Sequence, residues 1–380
     1  MALNPSKLTR KPPFSKISPM KIDHVHFYVE NAQYWCDWFV QVMGFQCVGR
    51  GKSDHTHTEV VQSGTVKFVL SSPLNPTSPV AIYLQQHPPG VADVAFAVSD
   101  IETVMEKAVN CGAVVLKPLQ KQQFPQGQLT WSQIIGKGGL RHTVLQRHGM
   151  SSIVPFEWVS PIVTSDDSSC PFTGIDHIVL NVAAGELEGV ASEYETVFGF
   201  QRQQSFMIQT ARSGLYSQVL VHPQTGVQFP INEPASDNSQ IQEFLNVNKG
   251  SGIQHLALTT PHVTSVTAKC RKAGLSFLHV PESYYSEVWE DNPTVHYLAS
   301  EWEEIMQQQI LVDCQSELCT GNNKVFPFLL QIFTQPIFGQ PTFFFELIER
   351  RWQAQGFGEG NFRALFEAIE REQLKRGSLR

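Results

Sequence analysis

Two stretches of the chain, KIDHVHFYV at residues 21–29 and GIDHIVLNV at residues 174–182, are nearly alike. Each carries an Ile-Asp-His triplet inside an alternating run that is typical of a strand. Each is followed, after a helical stretch, by a Gly-Phe pair, at residues 44–45 in the first case and 199–200 in the second. The chain therefore contains an internal repeat, and each half can be compared with the other.

The repeat continues along both halves. GVADVAFAVSD from Gly90 corresponds to SGIQHLALTT from Ser251, and LRHTVLQR from Leu140 corresponds to FFFELIER from Phe343. Three potential metal ligands of the second half align with three residues of the first half. His177 aligns with His24, His255 with Asp93, and Glu346 with Thr143. Two histidines and a carboxylate are kept together only in the second half, so we interpret His24 as structural.

Strand geometry indicates how the three residues could meet. Side chains alternate between the two faces of a strand, so His177 is expected to share its face with Ile175 and Val179. A lone strand histidine is more often a hydrogen-bonded core residue than a ligand. Glu346, however, stands among apolar neighbours, where a carboxylate is costly unless it is paired or bound to metal. Together the three residues match the facial triad of non-haem Fe(II) oxygenases, which leaves coordination positions open.

Composition excludes several classes of protein. With 380 residues, 42% of them hydrophobic and 17% charged, the chain fits two soluble globular domains. The net charge of −7 and the absence of a basic cluster interleaved with aromatic residues argue against nucleic-acid binding. No apolar run is long enough for a membrane span. The seven cysteines form no CxxC motif, which argues against a disulfide framework or zinc cluster and predicts a cytoplasmic location.

The chain divides into four predicted segments. Residues 1–19 are expected to be a flexible arm, with an organellar targeting segment as the alternative. Residues 20–150 form the first, non-catalytic domain. Residues 151–173, rich in Ser, Pro and Asp, form a linker. Residues 174–380 form the catalytic domain.

Helices alternate with groups of strands, which predicts an α+β fold of two tandem domains, each made of paired βαβββ modules. The predicted crossover helices span residues 32–42, 101–110, 187–197 and 263–273. An insertion in the second half adds a helix at residues 299–309. Near the C-terminus, Asn361 is predicted to cap a helix on which Leu365, Phe366 and Ile369 recur at helical spacing. This helix would pack against the domain and act as a gate over the site.

Six stretches carry a family resemblance. They are FPINEP at residues 229–234, SQIQEFL at 239–245, SGIQHLAL at 251–258, LLQIFTQP at 329–336, FFFELIER at 343–350 and GFGEGNFRALFEAIE at 356–370. With these stretches in this order and its duplicated βαβββ modules, the chain resembles the vicinal-oxygen-chelate (glyoxalase-like) superfamily. Within that superfamily it resembles the 4-hydroxyphenylpyruvate dioxygenase family. The resemblance covers nearly the whole chain, although the first half has fewer diagnostic residues.

The resemblance implies an activity. One Fe(II) per subunit would be held by His177, His255 and Glu346. The substrates would be 4-hydroxyphenylpyruvate, bound through its 2-oxo acid group, and O₂. The products would be homogentisate and CO₂, which serve tyrosine catabolism or the supply of quinone and tocopherol head groups. Family members are usually homodimers or homotetramers.

The resemblance also implies a pocket. Four polar residues match positions that orient the substrate: Ser217, Asn232, Gln240 and Gln331. Gln254 matches a pocket residue too, although strand alternation would point it away from the metal. Four aromatic residues match positions that enclose the substrate, the last two in the C-terminal gate: Phe333, Phe344, Phe357 and Phe362. Trp352 and Gln353 depart from the pattern, because a Gly-rich segment is expected there.

Other activities are open on the same frame. A 4-hydroxymandelate synthase would use the same metal and substrates but hydroxylate the benzylic carbon, and the intact Pro230, Ile231 and Asn232 favour the dioxygenase. An extradiol catechol dioxygenase would need an acid–base His and Tyr near the iron. A non-catalytic binding protein would have no need of the three metal ligands.

Overall fold

The computed structural model describes residues 19–124, 127–149, 154, 159–162, 170–210, 213–315, 318–320 and 323–378. The predicted arm therefore lies outside the described residues except for Pro19, and so does most of the predicted linker. The proposed domain boundaries within these stretches stay predictions.

The first half forms one curved sheet with helices on its outer face. Its elements in chain order are β1 (Met20–Tyr28), α1 (Ala32–Met43), β2 (Gln46–Lys52), β3 (Thr56–Ser63), β4 (Val66–Pro73), α2 (Pro79–Gln86), β5 (Gly90–Val98), α3 (Ile101–Asn110), β6 (Val114–Phe124), β7 (Gly127–Ile135), β8 (Arg141–His148) and β9 (Val159–Pro161). The strands lie in the order β6-β7-β8-β5-β1-β4-β3-β2-β9.

The second half repeats this plan. Its elements are β10 (Gly174–Asn181), α4 (Leu187–Phe198), β11 (Gln201–Gln209), β12 (Gly214–Val221), β13 (Gln228–Pro234), α5 (Gln240–Asn248), β14 (Gly252–Thr259), α6 (Val263–Lys272), α7 (Glu282–Asp291), a 3₁₀ helix (Pro293–Leu298), α8 (Trp302–Gln308), β15 (Leu311–Cys314), β16 (Leu318–Thr320), β17 (Asn323–Val325), β18 (Phe328–Phe333), β19 (Phe344–Arg351) and α9 (Glu359–Arg376). The sheet order is β11-β12-β13-β10-β14-β19-β18-β15, and β16 pairs with β17. Apart from β9, the two orders correspond strand for strand, and the predicted fold class is confirmed.

Strand register agrees with the alignment of the two halves. His24 lies opposite Ala95 in the first sheet, and His177 lies opposite Ala257 in the second. The parallel pairs β5–β8 and β14–β19 also share one register. The duplication therefore extends to individual residue positions.

Each half carries the same two β-bulges. The pairing of β10 with β14 skips one residue on each strand, at Asp176 and at Gln254. The pairing of β1 with β5 skips the equivalent residues, Asp23 and Ala92. A bulge interrupts the alternation of faces, so it redirects the side chains beside it.

The observed helices start and end close to the predicted positions, with two differences. The helix predicted at residues 299–309 is α8, which begins only at Trp302, because the 3₁₀ helix and a turn occupy the preceding residues. Asn361 does not cap α9, so that prediction was wrong. The helix begins at Glu359. The residue before it is Gly358, in a left-handed conformation with a φ of 73°, and Asn361 lies inside the first turn.

Phenylalanine rings join the two halves. Phe27 of β1 packs edge-on against Phe343, with ring centroids 5.2 Å apart, and Phe39 of α1 lies 5.9 Å from Phe345 of β19. The strand that carries Glu346 is therefore braced by the first half. Within the described residues, no helix combines the length and the apolar character that a membrane crossing requires.

Candidate metal site and its pocket

Three adjacent strands of the second sheet bring His177, His255 and Glu346 together. Nε2 of His177 lies 3.1 Å from Oε2 of Glu346, and Nε2 of His255 lies 3.8 Å from the same oxygen. All three residues are buried, and their ligand atoms lie within 4.8 Å of one another. Neighbouring ligand atoms about 2.1 Å from one ion lie about 3 Å apart, so this donor set fits a metal ion.

An aspartate and an arginine hold His177 in place. Nδ1 of His177 donates to Oδ1 of Asp176 over 2.9 Å. Arg350 in turn donates from Nε to Oδ2 of Asp176 at 2.6 Å and from Nη2 to Oδ1 at 2.8 Å. With Nδ1 engaged, Nε2 faces the carboxylate of Glu346, which is how an outer hydrogen bond orients a metal-binding histidine. We call Asp176 and Arg350 the aspartate clamp.

The aspartate clamp was not predicted, although the repeat contained the signal for it. The Ile-Asp-His triplet occurs in both halves. The equivalent strands β8 and β19 also carry an arginine at the matching position, Arg147 in β8 and Arg350 in β19. In the first half Arg147 donates to Asp23, which accepts from Nδ1 of His24 over 2.7 Å. The clamp is therefore duplicated, and only the second half adds the other metal ligands.

The bulge at Gln254 turns that side chain toward the site. Oε1 of Gln254 lies 3.4 Å from Nδ1 of His255 and both residues line the same pocket. The expectation that alternation points Gln254 away was wrong, because the bulge interrupts the alternation. The bulge at Asp176 has the opposite effect on Ile175, which lines a separate surface cleft and not the face of His177.

The surroundings shift the pKa values of the two histidines in opposite directions. Burial lowers the pKa of His177, but the carboxylates of Glu346 and Asp176 outweigh burial and raise it to about 9. Burial and the charge of His177 hold the pKa of His255 well below its ordinary value. A metal ion would replace the positive charge of His177, since only neutral imidazole is a ligand.

Gln331 connects Glu346 to the start of α9. Its Nε2 donates to Oε1 of Glu346 and to the carbonyl oxygen of Phe357, both over 2.9 Å. Asn361 donates from Nδ2 to Oε1 of Gln331, also over 2.9 Å. This leaves Oε2 of Glu346 for the histidines, and it gives Asn361 a link to the site in place of the predicted cap.

A pocket with a mainly apolar lining opens above the three ligands. Eight of the nine predicted pocket residues line it: Ser217, Asn232, Gln240, Gln254, Gln331, Phe333, Phe344 and Phe357. The ninth, Phe362, belongs to α9, and its side chain lies outside what the structure describes. Apolar residues that were not predicted for the pocket complete it, and they include Val179, Phe206, Ile208, Leu215, Val219 and Pro230. Leu365, Phe366 and Ile369 of α9 cover the pocket on one side.

Two phenylalanine rings lie directly against the candidate ligands. Phe344 stacks on the ring of His255, with centroids 4.8 Å apart and planes inclined by 17°. Phe357 meets His177 edge-on at 5.1 Å. These rings give the pocket an apolar wall beside the ligands, which suits a planar ring of a ligand.

A buried polar atom that lines the pocket has no partner among the described residues. Oε1 of Gln240 is buried and accepts no hydrogen bond from any residue that the structure describes. A buried acceptor without a donor is costly, so a hydroxyl group of a bound ligand would stabilise it. Asn232 is different, because its Nδ2 donates to Oδ1 of Asn181 over 3.3 Å.

In the first half, the residue equivalent to His255 is Asp93, and neighbouring residues hydrogen-bond its carboxylate. The carboxylate of Asp93 accepts from the backbone N–H of Thr143 at 3.0 Å, from its hydroxyl at 2.8 Å, and from Nε2 of Gln133 at 2.7 Å. This arrangement satisfies the buried carboxylate without a metal ion. It agrees with the structural role assigned to His24.

Trp352 and Gln353, which stand where a Gly-rich segment was expected, lie in the loop between β19 and α9. Both residues have positive φ, 54° and 59°, the conformation that a Gly-rich segment would adopt without strain. Trp352 is largely exposed. The loop therefore keeps the turn that the Gly-rich pattern predicts, with bulky residues in the left-handed positions.

Comparison with protein-family models gives one match in each half. Residues 17–154 match the model described as hydroxyphenylpyruvate dioxygenase, N-terminal. Residues 174–290 match the model of the glyoxalase, bleomycin resistance protein and dioxygenase superfamily.

Individual proteins match over nearly the full length. A 4-hydroxyphenylpyruvate dioxygenase from Yarrowia lipolytica is 35% identical over 377 residues, which cover 94% of this chain and 93% of the relative. One from Caenorhabditis elegans is 32% identical over 374 residues, with 94% and 93% covered. Among solved structures, a triple mutant of 4-hydroxymandelate synthase from Streptomyces coelicolor superposes with a TM-score of 0.81 at 26% identity, covering 94% of this chain and 99% of that one.

Proposed function

The chain belongs to the 4-hydroxyphenylpyruvate dioxygenase family, and on this premise we propose that it converts 4-hydroxyphenylpyruvate and O₂ to homogentisate and CO₂. The observation that carries the proposal is the buried triad of His177, His255 and Glu346 at the base of a largely apolar pocket. Two imidazoles and one carboxylate form a donor set that suits Fe(II), and these three residues would hold the ion and leave room beside it for a 2-oxo acid and O₂.

Bound Fe(II) would supply the redox chemistry that activates O₂ and would hold the 2-oxo acid group of the substrate. The protein contributes the orientation of the ligands. The aspartate clamp fixes the ring of His177, and Gln331 holds one oxygen of Glu346, which leaves the other oxygen facing the two histidines.

The pocket residues would orient the organic substrate. With its carboxyl end at the metal ligands, the aromatic ring of 4-hydroxyphenylpyruvate would lie between Phe344 and Phe357. The unpaired Oε1 of Gln240 would accept a hydrogen bond from the phenolic hydroxyl. The apolar side of α9 would keep water away from the reacting groups during turnover.

The second candidate is 4-hydroxymandelate synthase activity, and the similarity to a solved structure of that enzyme favours it. Both reactions share the substrates and the ligand set, so they differ in where oxygen is inserted. The intact stretch of Pro230, Ile231 and Asn232 favours homogentisate formation, and both Pro230 and Asn232 line the pocket.

Product analysis separates the two activities. The protein would be loaded anaerobically with Fe(II), given 4-hydroxyphenylpyruvate and O₂, and the products identified by chromatography and mass spectrometry. We expect homogentisate with stoichiometric CO₂. Hydroxymandelate would keep the metal site and overturn the proposed product. Binding of the substrate without oxygen uptake would contradict both activities and support a binding protein.

A further inference from the structure

Two thiols and a buried carboxylate meet in the first half, far along the chain from the metal ligands. Cys36 lies on α1, Cys47 on β2 and Glu59 on β3, and their ligand atoms lie within 4.8 Å of one another. Sγ of Cys47 lies 3.6 Å from Oε2 of Glu59 and 3.9 Å from the carbonyl oxygen of Gly49. The proposed activity uses none of these groups.

The carboxylate of Glu59 is already neutralised. Its side chain is fully buried, Nε of Arg50 lies 2.7 Å from Oε1, and Nε2 of His57 lies 2.9 Å from the same oxygen. A positive guanidinium on the carboxylate disfavours a metal ion at this cluster, because two cations would share one anion. The arrangement instead leaves the two sulfur atoms close to each other, with no ion needed to satisfy the carboxylate beside them.

We propose that Cys36 and Cys47 are a redox-active thiol pair, which a low-molecular-weight disulfide oxidises to an intramolecular disulfide. The partly exposed Cys47 thiol loses its proton to water, and its sulfur attacks the small disulfide, which releases one small thiolate. The sulfur of Cys36 then attacks Cys47, and the second small thiolate leaves. Two protein thiols are oxidised, the small disulfide is reduced to two thiols, and these take up the two protons.

The two cysteines have different roles in this exchange. Cys47 is partly exposed, whereas Cys36 is only 1% exposed, so a soluble disulfide can reach Cys47 first. The neighbouring thiol of Cys36 lowers the pKa of Cys47, although burial and Glu59 oppose this effect. The same contact raises the pKa of Cys36. Cys47 is therefore the attacking thiol and Cys36 the resolving thiol.

The disulfide would link α1 to β2, and α1 packs against the second half. Cys36 follows Trp35, whose ring lies 4.6 Å from Phe338, and one turn later Phe39 contacts Phe345 of β19. The oxidised pair would thus hold the helix that braces the strand of the candidate metal ligand.

The test uses the full-length protein, incubated with oxidised glutathione and then alkylated and mapped by mass spectrometry. In the wild type we expect a peptide pair linked through Cys36 and Cys47, with the loss of two hydrogen atoms. Cys36→Ser should stop at a stable glutathione adduct on Cys47. Cys47→Ser should carry no adduct on Cys36. Cys111→Ser, which removes a thiol outside the cluster, is the matched control and should form the same link as the wild type.

Two results would overturn the proposal. The first is a wild-type protein that keeps a glutathione adduct on Cys47 without forming the link, since Cys36 would then not be a resolving thiol. The second is a cluster that binds added Zn²⁺ and whose two thiols then resist exchange, which would make it a metal site. The wild-type measurement does not depend on the folding of any variant.

Discussion

Replacing Asp176 with Asn removes the charge of the aspartate clamp and leaves the size of the side chain unchanged. Asp176 accepts from Nδ1 of His177 at 2.9 Å and from two nitrogens of Arg350 at 2.6 and 2.8 Å. Loss of an outer partner of a metal-binding histidine typically costs about 10- to 100-fold in metal affinity or activity. We expect Asp176→Asn to weaken Fe(II) binding by that factor.

The duplicated clamp of the first half supplies the control. Asp23→Asn breaks the equivalent contacts with Arg147 and His24, at the same 7% side-chain exposure of the aspartate. Both variants remove the carboxylate partner of a half-buried arginine, so each should lower the free energy of unfolding by about 2 kcal/mol. Only Asp176→Asn should also lose metal affinity.

The assays are anaerobic Fe(II) titration and urea unfolding of the two variants. Equal loss of Fe(II) affinity in both variants would show that the effect is one of stability, and it would refute the role of the clamp. Unchanged affinity in Asp176→Asn would refute it as well.

Three further predictions concern the ligands, the gate and acid stability. Glu346→Gln should abolish oxygen uptake while the circular dichroism spectrum stays unchanged, and substantial remaining turnover would contradict the ligand assignment. In Gly358→Ala the new Cβ would lie 2.1 Å from Oε1 of Gln331, so oxygen uptake should fall strongly. Gly377→Ala has a similar φ but an open surrounding, so it should cost only about 1 kcal/mol of stability and no activity. Burial raises the pKa of Asp23, but its basic partners outweigh burial and hold the pKa well below its ordinary value. This stabilisation is present above about pH 4 and is lost as the pH falls, so urea unfolding of Asp23→Asn should depend less on acid pH than that of the wild type.

The repeat made most of the fold and the ligand set predictable. Because both halves contain the same strand order, the second His, His and Glu stood out against His24, Asp93 and Thr143. Turn residues such as Gly44 and Gly199 ended α1 and α4 with positive φ, as helix C-caps do.

Strict alternation of strand faces was the assumption that failed. The two bulges turn Gln254 into the pocket and place Asp176 against His177, and a single sequence contains no local signal for a bulge at these positions. The position of Asn361 was misjudged for a similar reason. A polar residue near a helix start predicts a cap, but its side chain is engaged by Gln331 and Tyr284 from other elements.

We expect only the second half to hold the metal ion. The measurement is anaerobic Fe(II) binding to the wild type, His177→Ala and His24→Ala, with circular dichroism to verify folding. One Fe(II) per chain should bind to the wild type and to His24→Ala, and tight binding should be lost in His177→Ala. A His177→Ala protein that keeps its iron, or a folded His24→Ala protein that loses it, would show that His177 is not the ligand.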